Sequence, residues 1–243
     1  MPAHLAAAAA ATVILVHGAF ADGSSWNKVI ANLQRKSIDV IAVQNPMSSL
    51  ADDVAATDRA IEAAKGPVVL VGHSWAGAVI TQAGDDPKVK ALVYIAALAP
   101  DAGMSANDLG KGAPLLQWQK AVVVSGDGFM TIPEKTVESE FAQDLPKSQA
   151  RILAATQGPI AARAFDDKLS IAAWRDKPSW YIVPRMDHMI APDVERAMAR
   201  SMKAHITEID SSHVVMLSHP DKVTAVIEDA LASVSSSQLA NAH

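Results

Sequence analysis

Thr12–Val16 reads TVILV, a run with no polar side chain after its first residue and no alternation between faces. A strand with one wet face alternates. A run like this one suits a strand covered on both sides, as in a parallel sheet lying between helical layers. Further strand-length segments follow at Ile38–Val43, Val68–Val71, Ala91–Ala97, Trp180–Val183 and His205–Ile209. Helical patterns stand between or after them at about 25–35, Ala51–Ala64, Trp75–Ala83, Pro192–Met202 and Pro220–Val234. This alternation predicts an α/β fold: a mostly parallel sheet of about six strands, right-handed crossovers, and helices on both faces. Ligand sites of such sheets lie beyond the carboxyl ends of the strands, so the residues just after each strand matter most.

The rhythm breaks from Asp101 to Lys177. Strand signals fade, and short helical patterns appear between Gly and Pro residues such as Pro133, Pro146 and Gly158-Pro159. A connection that long needs structure of its own, so 101–177 is expected to form a helical cap inserted into a core made of 12–100 and 178–235. Residues 1–11 and the Ser-rich 236–243 read as flexible termini.

Composition narrows the function classes. The chain has 50% hydrophobic and 19% charged residues, enough for a buried core and too little charge for a disordered chain. A net charge of -5 offers no basic footprint for nucleic acid or an anionic membrane. No cysteine is present, which removes disulfides, thiolate metal sites and thiol nucleophiles. The apolar start, Leu5–Val16, is shorter than the roughly 20 residues a membrane span requires and lacks the Lys/Arg-rich front of a secretory signal. A cytoplasmic location is favoured, with a trimmed export signal as the alternative.

After the third strand comes Gly72-His73-Ser74-Trp75-Ala76-Gly77. A Gly-x-Ser-x-Gly turn between strand and helix lifts a serine hydroxyl above the sheet; here Ala76 stands at the second small position. Ser74 is therefore the candidate nucleophile. The Trp75 N–H at the helix start can stabilise an oxyanion, and His17-Gly18-Ala19-Phe20 after the first strand supplies a second donor, Ala19 before Phe20. A serine needs a positioned base. Of eight histidines, His213 follows the last strand, with His219 as competitor; His17 and His73 read as loop-ordering residues, His188 and His205 as surface. Asp187, after Trp180–Val183, completes the order Ser…Asp…His, with Asp101 as runner-up for the acid. No His/Asp/Glu cluster has metal spacing, and no Walker loop or dinucleotide fingerprint occurs, so no metal or cofactor is expected.

With these residues laid out, the chain resembles the α/β-hydrolase superfamily, in particular the small-cap branch of plant methylesterases, hydroxynitrile lyases and bacterial esterases. The markers are ILVHGAFADGSSW at 14–26, GHSWAGAVI at 72–80, the Asp187 loop and SSHVVMLSHP at 211–220, and the likeness runs from Thr12 to about Leu231. It implies a triad of Ser74, Asp187 and His213 with an oxyanion hole from Ala19 and Trp75. In the related lyases a Lys follows the catalytic His and helps to bind the cyanohydrin; Val214 stands there, which argues against that chemistry. The expected activity is hydrolysis of small to medium apolar carboxylic esters. Phe20, Leu115, Trp118, Phe129, Phe141 and Trp174 are candidate pocket walls, or equally the cap's own core. The expected partner is a small-molecule ester, with no nucleic acid and no membrane; monomer and homodimer both stay open. The same triad could serve amide, lactone, carbamate or C–C cleavage or perhydrolysis, and the scaffold could bind a small molecule without turning it over.

Overall fold

A computed structural model describes residues 10–112 and 114–240, with the side chains of 237–240 excepted. Its main sheet has six strands, all parallel: β1 (Thr12–Val16), β2 (Asp39–Val43), β3 (Val68–His73), β4 (Val89–Ile95), then β8 (Ser179–Pro184) and β9 (His205–Ile209) after a long intervening segment. The order across the sheet is β2-β1-β3-β4-β8-β9. The α/β expectation and the strand count hold. Burial explains the sequence pattern: the residues of β1, β3 and β8 are wholly buried, and β4 exposes only Lys90, whereas the edge strands β2 and β9 are partly exposed.

The covering helices are α1 (Asn27–Arg35), α2 (Leu50–Ala63), α3 (Ala76–Ala83), α8 (Pro192–Ser201), α9 (Val215–Ser218) and α10 (Pro220–Ala240). Their starts follow from local chemistry. Ser49 caps α2 by accepting from the Asp52 N–H at 3.1 Å. Pro192 opens α8, where its missing N–H costs nothing, and Asp193 and Glu195 occupy the first turn. The first expected helix is in part a 3₁₀ turn: Gly23–Trp26 precedes α1, because the Asp22 carboxylate takes the Ser24 N–H and tightens the entry. Two shifts of boundary matter for the site. β3 runs on to His73 and α3 begins at Ala76, so Ser74 and Trp75 form the turn itself.

Between β4 and β8 the structure departs from an all-helical reading. Short helices α4 (Ala106–Leu109), α5 (Gln117–Ala121), α6 (Glu134–Thr136) and α7 (Lys147–Thr156) are present, with a π-helical turn at Val137–Phe141. With them stands a three-stranded antiparallel sheet, β5 (Val123–Val124), β6 (Phe129–Thr131) and β7 (Ile160–Ala161). Strands of two or three residues are too short to show a period, which is why the sequence hid them. At the carboxyl end, α10 continues through the Ser-rich stretch to Ala240 in place of the expected loose tail. Residues 1–9 and 241–243 of the expected flexible termini lie outside the described residues.

Candidate active site

The turn after β3 is strained. Ser74 has φ 54, in the left-handed region that a residue with a Cβ seldom enters. Three hydrogen bonds hold it there. The Ser74 N–H donates to Ile95 O at 3.1 Å, and Ser74 O accepts from the N–H groups of Gly77 and Leu98, each at 3.0 Å. The small-residue requirement is met at Gly72 and Gly77. A Cβ on Gly72 would stand 2.7 Å from Ala76 O, and one on Gly77 would stand 2.0 Å from Leu98 O. Ala76 itself is fully buried and accommodated, so the departure from Gly at that position leaves the turn intact.

The loop after β1 backs directly onto this turn. A Cβ on Gly18 would lie 2.7 Å from both His73 O and Ser74 Cβ, so glycine there allows the loop before Ala19 to approach the serine turn closely. Phe20 follows with φ 59. His17 orders the loop: its Nε2 accepts from the Asn45 N–H at 3.0 Å, and its Nδ1 donates to Gly18 O at 3.0 Å. Burial lowers the His17 pKa, consistent with this neutral tautomer. Among the described residues, the Ala19 and Trp75 N–H groups make no turn, loop or cap hydrogen bond.

His213 and Asp187 meet from two further loops. His213 Nδ1 lies 2.5 Å from Asp187 Oδ2, and both side chains are buried. Asp187 Oδ1 is fixed in turn by the N–H groups of Met189 at 2.6 Å and Ile190 at 3.0 Å. The far imidazole nitrogen of His213, Nε2, is buried and has no hydrogen-bond partner among the described residues. Ser74 Oγ therefore makes no hydrogen bond to this nitrogen in the structure; bonds between a nucleophile and its base often tighten only when substrate binds. His73, one residue before the serine, donates from Nε2 to His213 O at 3.0 Å, and the two rings are 4.7 Å apart. Burial, and then the nearby His213, push the His73 pKa well down, so it is a neutral strut.

The alternatives for base and acid sit elsewhere. His219 is half-buried, with Nδ1 3.1 Å from Ser218 Oγ. Asp101 forms a two-pronged ion pair with Arg175, one contact at 2.9 Å. Of the pocket candidates, Phe141 is buried with its ring 5.4 Å from that of His213. Phe20 packs edge-on against Trp118 at 6.0 Å, and Trp118 Nε1 donates to Met189 O at 2.9 Å beside the Asp187 loop. Phe129 and Trp174 make their contacts away from this cluster. Phe129 lines a groove of about 530 Å³ with Pro46, Val123 and Pro159. Trp174 is buried and hydrogen-bonds Pro100 O at 3.2 Å. Leu115 is exposed.

Sequence reasoning missed several groups around the site. Asp53, in the first turn of α2, is fully buried and accepts from Trp75 Nε1 and from the Met47 N–H, each at 2.8 Å. Burial pushes its carboxyl up to about 6 against the pull of those bonds. Phe165 packs on the same indole at 4.9 Å. Glu195 of α8 is buried beside Asp187, and burial and then the charge of Asp187 raise its pKa well above normal. Among the described residues no group of His, Asp and Glu is arranged to hold a metal ion, and no helix is long and apolar enough to cross a membrane.

The serine turn and the buried His–Asp pair both follow strands of the parallel sheet. The sequence matches the model of the alpha/beta hydrolase family over residues 13–226, and the chain belongs to that family. It is 26% identical to "Probable hydrolase R7" of a Phoma species, over 89% of this chain and 96% of that protein. "Alpha/beta hydrolase nvfD" of Aspergillus novofumigatus is 25% identical, over 90% of this chain and 95% of that protein. Among solved structures, an extracellular alpha/beta-hydrolase from a Paenibacillus species superposes with a TM-score of 0.78 at 20% identity, covering 90% of this chain and 98% of its own. Polyneuridine aldehyde esterase superposes with a TM-score of 0.79 at 17% identity, covering 91% and 99%. At these identities the structural likeness speaks for the fold; the family match makes the chain a hydrolase of the alpha/beta family.

Proposed function

We propose that this hydrolase cleaves small to medium carboxylic esters with apolar parts through an acyl-enzyme on Ser74. The observation that carries the reading is the buried 2.5 Å contact between His213 and Asp187, which leaves Nε2 as the ring nitrogen with no other partner. Asp187 holds the proton on Nδ1, so Nε2 is the basic nitrogen and can take the Ser74 proton as Oγ attacks the ester carbonyl. The oxyanion that forms is received by the N–H groups of Ala19 and Trp75. His213 then protonates the departing alcohol, the C–O bond breaks, and the acyl group stays on Ser74. A water molecule, deprotonated by the same nitrogen, attacks the acyl-enzyme; the bond to Ser74 Oγ breaks, His213 returns the proton to that oxygen, and the acid is released. Aromatic and apolar side chains near the dyad, Phe141, Phe20 and Trp118 among them, favour apolar substituents. Esterases and a methylesterase among the structural neighbours agree with ester chemistry, as far as fold-level likeness can.

The test is intact-mass analysis after treatment with a fluorophosphonate, followed by a short-chain p-nitrophenyl ester assay. The expected result is one adduct per chain, mapped to Ser74 and absent from Ser74→Ala, with ester turnover lost in the same variant. A folded protein that takes no label would reject the nucleophile and leave the reading of a small-molecule-binding protein on this scaffold.

A further inference from the structure

The loops that carry Asp187 and His213 belong to no helix or strand, and something must hold them. A single short segment of the 101–177 region reaches both. Gln143 Nε2 donates to the carbonyl of Met186, the residue before Asp187, at 2.6 Å. Ser139 O lies 3.3 Å from Nδ1 of His188, the residue after it. Phe141 packs its buried ring against both His213 and His73. Asp144 takes hold of the residues before His213: its Oδ2 accepts from the Ser212 N–H and from Ser211 Oγ, each at 2.9 Å, and its Oδ1 accepts from Ser212 Oγ at 2.5 Å.

Ser211, Ser212 and His213 are all fully buried. A buried N–H without an acceptor is costly, so the Ser212 peptide is held where a carboxylate can reach it. Burial pushes the Asp144 carboxyl up, but the hydrogen bonds from Ser212 and Ser211 outweigh it and hold the group below its ordinary value, so it stays ionised and acceptor-only. Two of its bonds go to Ser212, and His213 is the next residue in the chain.

We propose that Asp144 is a positioning residue: by gripping Ser212 it sets the direction in which His213 presents its imidazole, which makes the segment between β4 and β8 part of the reaction machinery. Asp144 moves no proton and touches no substrate. Gln143 does the corresponding work on the Asp187 side. The inference rests on the proposed hydrolase reading for its kinetic consequence and on geometry alone for its structural one.

Two readouts on Asp144→Ala separate these. The first is the rate of fluorophosphonate labelling, with kcat and KM per labelled site. The fraction labelled at completion is expected to match the parent, while the labelling rate and kcat fall about 10- to 100-fold and KM stays within about twofold, the pattern of a mis-aimed base. The second is the downfield proton resonance of the His213–Asp187 hydrogen bond, which is expected to broaden or vanish in the variant. A parent-like rate overturns the proposal, and so does a slower rate with an unchanged resonance, since the dyad has then not moved. If the parent takes no label, the ester-hydrolase reading fails and the resonance still decides the role of Asp144. If Asp144→Ala does not fold, Ser212→Ala, which removes one of the three bonds to Asp144 together with the long 3.4 Å contact from the Val214 N–H, is expected to show a smaller change in the same direction, and no change overturns the proposal.

Discussion

Glu195 ties the stability of the fold to pH. It is wholly buried, and Asp187 lies close enough to oppose its charge. The carboxyl is therefore held neutral in the folded protein, with its pKa raised well above the unperturbed 4.5. The sign follows from proton counting. Above pH 4.5 the unfolded chain releases this proton and the folded chain keeps it, so stability falls as pH rises, by about 1.4 kcal/mol per pH unit until the folded group also ionises. Glu195→Gln has the shape of the neutral acid and nothing to lose. Urea unfolding of both proteins at pH 5 and pH 7.5 is expected to show the variant gaining on the parent as pH rises; a constant difference between them would mean that Glu195 is charged in the fold. The group was legible in principle. Glu195, Met198, Ala199 and Met202 are spaced as one helical face, and all four are buried. A carboxylate on an apolar stripe is the signal. Asp53 and Asp144 give none, because the Trp75 indole lies 22 residues from Asp53 and the serines 67 and 68 residues from Asp144, and only the fold brings them together.

Among the elements, α3 directly follows the serine turn and is buried at every residue but Gln82. Gly77 lets it approach the chain after β4 so closely that any Cβ would meet Leu98 O at 2.0 Å. The atom in the way is backbone, so helix and strand end must part. Leu98 N–H is also one of the donors to Ser74 O, so the turn moves with them. Gly77→Ala is expected to lower stability by about 3 kcal/mol in spite of its better helix propensity, as overpacking does. It should also slow labelling of Ser74 more than lost stability explains. Ala76→Gly, one residue earlier, is expected to cost only about 1 kcal/mol, chiefly as lost helix propensity, and to leave the turn in place. Denaturant melts and labelling rates of the two variants check the contrast; equal effects would mean that the close approach sits elsewhere. The sequence pattern led to this turn because strand, small residues and helix follow one another locally. It also pointed to the loops of Asp187 and His213, since each closely follows a strand. The orientation within those loops was hidden, because it is imposed by Asp144, Gln143 and Phe141 from a region that sequence periodicity describes poorly.

For the whole molecule, the question is whether 101–177 is a separate unit or part of one core. Buried side chains of that segment, including Ile132, Val137, Phe141 and Leu169, belong to the same continuous apolar cluster as the sheet. Hydrogen bonds tie it to the core at widely separated points: Ala161 N–H to Met47 O at 2.8 Å, Leu50 N–H to Asp167 at 2.9 Å, Ser170 N–H to Gln82 at 2.9 Å, and the Asp144 grip on Ser212. Unfolding it alone would strip these bonds and expose the apolar side chains that the two parts bury together. The α/β architecture was readable because each strand is long enough to show its burial, whereas this coupling depends on single contacts between distant residues. A single cooperative transition is expected. The five tryptophans report on both parts, Trp118 and Trp174 in the segment and Trp26, Trp75 and Trp180 in the core. Variants keeping only Trp118 or only Trp180 should give one urea midpoint by fluorescence, coincident with the loss of far-UV circular dichroism. A Trp118 midpoint clearly below that of Trp180 would show that the segment opens independently. The Asp144 grip would then be a latch that can release, with the His213–Asp187 pair loosened at every opening.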